Sequence, residues 1–593
     1  MVALVAAAAL AGTGAARAAT APTAPVYDRH GNLVETPFVP GPAPGEKPQL
    51  RRGQVLRVAL AFPKVADWIA RYPKKTRTTE ATYDADTRLW TVKVWTPGEA
   101  GEIAEAKVTD EGDVSEAWTG PQVAWKMARG YSGAFGRKIN DPWIWLGFCL
   151  AFLVGLGDLR RPFSTRNLDL VALLFFTASL WFFNEGDVFT AMPLAYPPML
   201  YLIGRLAWIA RRGIGSSYRP VFPVWVLLAA TVFLIGFRVG LNVGASNVID
   251  VGLSGVVGAQ RIVGQAESPY GNMPLDTGKA CGKPDADGYI REHVQTNGRC
   301  ESADPRGDTY GPMSYLAYVP GYAVFGWSGK WDDLPAAHFT SILWDLLAIL
   351  GLGLAGRRLG GTRLGVTLAF AWASFPFTQY ASSSNTNDAI MPALLAFGFW
   401  LVTSAPARGL FVGLATWTKF ATLLLVPLWG SYPETVGRPR TKLLFVGGFL
   451  LATALGFWVL LLEPSPLHAA RVFWDRTFGW QLDRPSPFSI WDWGVYRYPD
   501  LGPLQTALKA LLLLAAVAFY FVPRRKNALQ LAALSGVLLV GFELVLTHWS
   551  YLYIPWFFPV VALALLAPAA RPRREPAEAP ADELAARQLV AAG

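Results

Sequence analysis

Asp250 is the first residue of this chain placed to do chemistry. It stands in Asn247-Val248-Ile249-Asp250-Val251-Gly252, a few residues beyond a long apolar stretch. A carboxylate at such a boundary can take a proton from a hydroxyl that arrives from water. The same position also suits a cap on a following helix. Asp308 lies in Gly307-Asp308-Thr309-Tyr310-Gly311-Pro312, where it can serve a site or open a turn before Gly311-Pro312. Arg261, Lys419 and Arg476 can hold an anionic group, with Arg238 behind them. For Lys419 the alternative is snorkelling to an interface. Asp345 falls inside an apolar stretch, facing a bundle interior or lining a cavity, and His338 reads as structural or acceptor-side and not as a metal ligand. Asn385 and Asp388 read as helix N-caps. The run 473–498 (FWDRTFGWQLDRPSPFSIWDWGVYRY) contains Trp480 and Trp491 and is either a binding platform or an interfacial belt. Cys281 and Cys300 would close a loop of about 20 residues, a disulfide worth roughly 3 kcal/mol in an oxidising compartment. A metal site is not supported, since only His293 is near them. No Gly-rich loop precedes a Lys-Ser/Thr pair, so phosphoryl-transfer signatures are absent.

What must position these residues is a membrane. The chain has 593 residues, of which 52% are hydrophobic and only 16% charged, with 24 Trp, 34 Phe and 20 Tyr. That balance excludes a soluble cytosolic enzyme, a disordered chain and a coiled coil. The net charge of +10 is read as basic cytoplasmic loops and not as a nucleic-acid surface. Apolar stretches run at 143–158, 168–183, 190–210, 221–241, 335–356, 362–381, 388–404, 442–462, 504–522, 527–547 and 551–568. They predict an all-α polytopic protein of about 11–13 transmembrane helices.

Basic clusters follow the first, third, fifth, ninth and last stretches, for example Arg160, Arg161 and Arg166, or Arg524, Arg525 and Lys526. This places them in the cytoplasm with the C-terminus, and it places loops 242–334 and 463–503 outside. Residues 409–430 are long enough to cross once, yet Arg408 precedes them and Arg438, Arg440 and Lys442 follow. A broken hairpin that dips in and returns keeps both clusters on one side. It puts Lys419 at its tip, where an ionisable residue is a functional candidate.

The N-terminal part has another character. Residues 1–19 read as a secretory signal peptide, and 20–50, rich in Pro, Ala and Gly, as a linker. Residues 51–135 form a small α+β unit outside the cytoplasm. Val55–Arg71 has helical spacing, and Arg88–Trp95, Ile103–Val108 and Val114–Trp118 have strand character. One helix on a small antiparallel sheet resembles a PepSY-like domain. The unit is expected to fold alone and to hold no catalytic residue. Residues 569–593 read as a disordered cytoplasmic tail.

The loop motifs resemble the C-type (GT-C) glycosyltransferase superfamily, nearest to polyprenol-phosphate-mannose-dependent alpha-mannosyltransferases. The matching positions are Asp250, Pro269-Tyr270 and Tyr310-Gly311-Pro312, and the resemblance covers about 220–568. Three extra helices at 143–219 depart from that pattern. The resemblance implies an enzyme in the plasma membrane that takes a sugar from a lipid-linked donor. The acceptor is a glycan, a lipid or a protein at the outer face. Asp250 would be the general base. Arg261, Lys419 and Arg476 would hold the donor phosphate. Tyr270, Asp308, Tyr310, Trp480 and Trp491 would bind substrate, since flat sugar faces pack on aromatic rings. No cofactor is required, and a divalent metal has no support in the sequence. The competing reading is a transporter or flippase of lipid-linked glycans, against which stand the absence of a repeat and the concentration of polar residues in outer loops.

Overall fold

The computed structural model describes residues 26–27, 33–35, 48–85, 88–98, 101–130, 133–215, 221–273, 292–294, 300–302, 307–328 and 334–567. The expected signal peptide, most of the linker, the tail and Cys281, with the disulfide it would make, lie outside the described residues.

Helices α1 (Arg52–Ala61) and α2 (Pro63–Ile69) pack on a four-stranded antiparallel meander. Its strands are β1 (Thr78–Asp84), β2 (Leu89–Trp95), β3 (Glu102–Thr109) and β4 (Val114–Thr119). The helix expected over Val55–Arg71 breaks at Phe62, because Pro63 cannot donate its hydrogen bond. Strand β2 alternates as its sequence demands, with Trp90, Val92 and Val94 turned inward against Val55, Ala59 and Val65. This core closes at Ala117. From Ala128 onward the buried residues belong to the helical core, so the segment after Gly120 runs from the sheet, where Arg129 covers the Trp118 ring, onto the bundle, where Trp125 meets Phe488.

Among the described residues, six helices are long and apolar enough to cross a membrane. They are α4 (Thr165–Asn184), α6 (Val224–Ala245), α8 (Pro335–Ser374), Pro439–Leu462, α13 (Gly502–Phe521) and α14 (Ala528–Val545). The chain is thus a helical polytopic membrane protein. The other expected crossings are the 25-residue, proline-containing α5 (Val188–Arg212) and the shorter α3 (Pro142–Leu156), α9 (Pro376–Ser383), α10 (Ile390–Trp400), α11 (Ala405–Thr416) and α15 (Ile554–Leu566). Helix α8 is two helices joined at Gly360–Gly361, where Gly361 takes φ +80, a conformation open to glycine. Between them run α7 (Asp250–Ala259), which begins just after α6, and α12 (Pro439–Phe457), which continues to Leu462.

Residues 409–430 form a hairpin. Helix α11 stops at Thr416, the chain is extended at Lys419, and Phe420–Leu425 and Val426–Gly430 lead back. Its two ends meet where Arg408 Nη2 donates to the Tyr432 carbonyl at 2.7 Å.

The deepest ion pair is Arg238 of α6 with Asp345 of α8, both buried. The pair is bidentate. Trp372 Nε1 adds a hydrogen bond to Asp345 at 2.8 Å, and Arg238 Nη1 reaches the Ala373 carbonyl and Thr378 Oγ1. It joins the helices and faces the bundle interior. His338 likewise has a structural place, 3.0 Å from Asn242 Oδ1.

Candidate active site at the hairpin tip

A helix that breaks inside a bundle leaves carbonyls without partners. At the tip these are met by residues 311–314. The Met313 amide donates to the Trp417 carbonyl at 2.9 Å, and Ser314 Oγ donates to the Thr418 carbonyl at 2.9 Å. The approach is so close that a Cβ on Gly311 would lie 2.1 Å from the Trp417 oxygen. Gly311-Pro312 therefore acts as a seat for the broken hairpin.

The break turns Lys419 into the protein, where it is 6% exposed. Its Nζ is 3.1 Å from Asp388 Oδ1. Around it stand the rings of Tyr310 at 4.3 Å, Trp556 at 5.0 Å and Tyr553 at 6.0 Å. Tyr553 and Trp556 stack at 4.1 Å, and Trp556 Nε1 donates to Asp388 Oδ1 at 2.8 Å. Asp388 caps no helix: α10 begins after Ala389 without a side-chain cap, and the carboxylate goes to the lysine and the indole. Asp250 opens α7, near enough for its charge to act on both Lys419 and Tyr553.

The loop carrying Asp250 is clasped by amides. Asn385, in the left-handed region at φ +52, donates to the Asn247 carbonyl at 2.9 Å and to Ser246 Oγ at 3.0 Å. Asn is one of the few side-chain-bearing residues that tolerate that conformation. Asn247 in turn donates to the Ala134 carbonyl and accepts from the Gly136 amide, each at 2.7 Å. The segment leaving the N-terminal unit thus helps to hold Asp250 in place.

A second ionic group adjoins the first. Asp308 is fully buried, and its Oδ2 accepts from Arg476 Nε at 2.6 Å and from the Gly271 amide at 2.8 Å. Tyr270 donates to the Tyr310 carbonyl at 2.9 Å, which links this group to the ring over Lys419. Both tyrosine-bearing loop motifs and both acids are therefore gathered with two of the three expected cations.

The third cation, Arg261, engages Gln265 and Glu267 of its own turn. Trp480 is half-buried in the short helix Trp480–Asp483, directly after the turn that carries Arg476. Trp491 differs from the open platform expected of it. It is buried, donates to the Leu544 carbonyl at 2.8 Å and packs edge-on against Tyr196. Phe488 and Trp493 are buried with it, because an apolar run beside a helix bundle fills core before it lines a groove.

Glu543 had no place in the sequence reading. It is buried near the end of α14, and its Oε2 accepts from Trp549 Nε1 at 3.1 Å. Its other oxygen, Asp308 Oδ1 and Asn387 Oδ1 are buried acceptors without a hydrogen-bond partner among the described residues. At the rim, burial and then the Arg484 charge push His548 well below its ordinary value. Its Nδ1 lies 2.9 Å from Ser486 Oγ. Among the described residues no group of three or more His, Cys, Asp or Glu is arranged to hold a metal.

Comparison with protein-family models, curated proteins and solved structures finds no match.

Proposed function

We propose that the chain is an integral-membrane glycosyltransferase of GT-C type. It moves a mannose-like sugar from a polyprenyl-phosphate donor to a hydroxyl of a cell-envelope glycan, lipid or protein acceptor. The reading places it in the plasma membrane, with the PepSY-like unit and the long loops outside the cytoplasm. The observation that carries it is Lys419: a buried cation with one carboxylate partner, ringed by aromatic faces, beside Asp250.

Asp250 takes the acceptor proton as the acceptor oxygen bonds to the sugar's anomeric carbon. The bond from that carbon to the phosphate oxygen breaks, and the lipid phosphate leaves with the electron pair. Lys419 stabilises that charge, and it does so strongly because the surroundings are of low dielectric. Asp388 and Trp556 hold the lysine in place. The buried acceptors on Asp308, Asn387 and Glu543 are groups that sugar hydroxyls would satisfy, since an orphaned buried acceptor costs about 1–3 kcal/mol.

The test is transfer by purified protein from radiolabelled polyprenyl-phosphate-mannose, wild type against Asp250→Asn. Turnover should fall by roughly 10²–10⁴, with donor affinity within a few-fold. Near-normal turnover would remove Asp250 as base and pass that role to Asp308. One observation favours a second reading, a transporter of lipid-linked glycans: Lys419, Asp388 and Glu543 all sit among helices, as ionisable groups on a transport path do. Vesicles in which labelled lipid-linked sugar crosses the bilayer without transfer would replace the enzyme with the transporter.

A further inference from the structure

At one end of the bundle four helix ends converge. Helix α5 finishes at Arg212, α15 at Leu566, and α4 and α14 begin at Thr165 and Ala528. Gln530 Nε2 donates to the Ala210 carbonyl and Asn527 Nδ2 to that of Gly213, so these ends are tied at one level. Helices that span a bilayer end where the phospholipid head groups lie.

A cavity of about 170 Å³ opens there, lined by Arg205, Trp208, Ile209, Arg212, Ile214 and residues 564–565. Its lining has two chemistries. Arg205 presents a guanidinium whose Nε and Nη2 are held by Asp169, itself fixed by Tyr201 at 2.7 Å. Its Nη1 has no acceptor among the described residues. Arg212 lies 4.4 Å over the Trp208 ring and meets no carboxylate among the described residues. The remaining wall is aliphatic: Ile209, Ile214, Ala564 and Leu565.

Two adjacent guanidinium groups with only one carboxylate between them leave net positive charge, and guanidinium matches a phosphate better than it matches a neutral head group. An aliphatic wall beside that charge has no use for a free ion but fits an acyl chain. We propose that this cavity binds one anionic phospholipid, its phosphodiester on Arg212 and Arg205 and the start of a chain along Ile209 and Leu565. The cavity shares no lining residue with the Lys419 site, and the proposal does not depend on what reaction occurs there. Basic pockets between helix ends are a recurrent way of recognising anionic head groups.

The full chain, stripped of lipid in neutral detergent, is to be titrated with dioleoyl-phosphatidylglycerol. Dioleoyl-phosphatidylcholine and inorganic phosphate form separate arms. Retained lipid is counted by native mass spectrometry, and thermal unfolding is followed in parallel. One phosphatidylglycerol should be retained, and the unfolding midpoint should rise with its concentration. Arg212→Gln should weaken retention by about fivefold, the worth of one cation at a membrane surface. Ile214→Asp, at a position 58% exposed and so harmless to folding, should weaken it as much by adding a repelling carboxylate. Arg440→Gln, at an exposed arginine elsewhere, should leave it unchanged. Equal retention of phosphatidylcholine would overturn the proposal, as would unaltered retention in both cavity variants. A phosphate-only effect of the same size would also overturn it, by showing a plain anion site.

Discussion

Two of the buried ion pairs, Arg238–Asp345 and Lys419–Asp388, are built differently. Arg238 and Asp345 meet through two parallel hydrogen bonds, and Trp372, Thr378 and the Ala373 carbonyl take up further donors and acceptors. Little bonding capacity is left over. Lys419 and Asp388 meet through one contact, and around it stand aromatic rings and, further off, the Asp250 charge. An ammonium has three donors, so capacity remains for a ligand. The first arrangement fastens helices; the second leaves donors that the proposed donor phosphate would engage. The residue types are the same in kind, and saturation of hydrogen bonding is what separates a fastener from a site.

The comparison can be broken at either pair. The largest effect is expected at the site, where Asp250→Asn should cut turnover by roughly 10²–10⁴ while the melting temperature stays near that of wild type. Next comes the fastener. Asp345→Asn strands a buried guanidinium, which costs about 3–5 kcal/mol; folded yield and melting temperature should drop, with activity per folded molecule kept. Lys419→Met should chiefly weaken donor binding; Asp388 keeps its Trp556 hydrogen bond and can take up a proton, so the loss of stability should be smaller than at Asp345. Loss of fold from Lys419→Met, or of donor binding alone from Asp345→Asn, would erase the distinction.

A deletion sharpens it further. Removal of residues up to 119 leaves Ala134 and Gly136 on Asn247, whereas removal up to 135 takes the Ala134 partner of the Asp250 loop away. Transfer should survive the shorter deletion and fall in the longer one.

The smallest effect is one of pH. Burial first, and Arg484 second, depress His548 below its ordinary value of 6.5, so the folded chain keeps it neutral. The unfolded chain takes up a proton as pH falls below 6.5, so stability present above that value declines with acid, by at most about 1.4 kcal/mol per pH unit. His548→Gln should flatten an unfolding series between pH 7 and 5 by one proton's slope.

Much of the fold was legible in the sequence because hydrophobic length and basic asymmetry are strong signals. The hairpin is the clearest case: Arg408 on one side of it and Arg438 on the other required the chain to return, and the Arg408–Tyr432 contact is that return. Strand β1 was missed because its sequence, Thr-Thr-Glu-Ala-Thr-Tyr-Asp, alternates between exposed and half-exposed positions and so carries no apolar period. Half of the candidate site was legible too, through acids and tyrosines in loop 242–334. Asp388 was assigned to a helix start because a carboxylate before an apolar run usually caps it, and nothing local told of Lys419 across the bundle. Tyr553 and Trp556 were hidden in an apolar stretch whose length alone was used. Glu543 had a visible signal, an acid within a hydrophobic segment, that was passed over.

The seat formed by Gly311, Met313 and Ser314 sets an order in time. A broken hairpin with a lysine at its tip cannot rest in hydrocarbon unaided, because its open carbonyls would find no donors there. Synthesis runs from the N-terminus, so residues 307–315 leave the ribosome about a hundred residues ahead of the tip, several seconds at ordinary rates of translation. The segment 307–315 can thus be in place when the hairpin arrives. Helix α15, bringing Trp556 to Asp388, then closes the ring around Lys419, so the charged centre is completed well over a hundred residues after its lysine has been made.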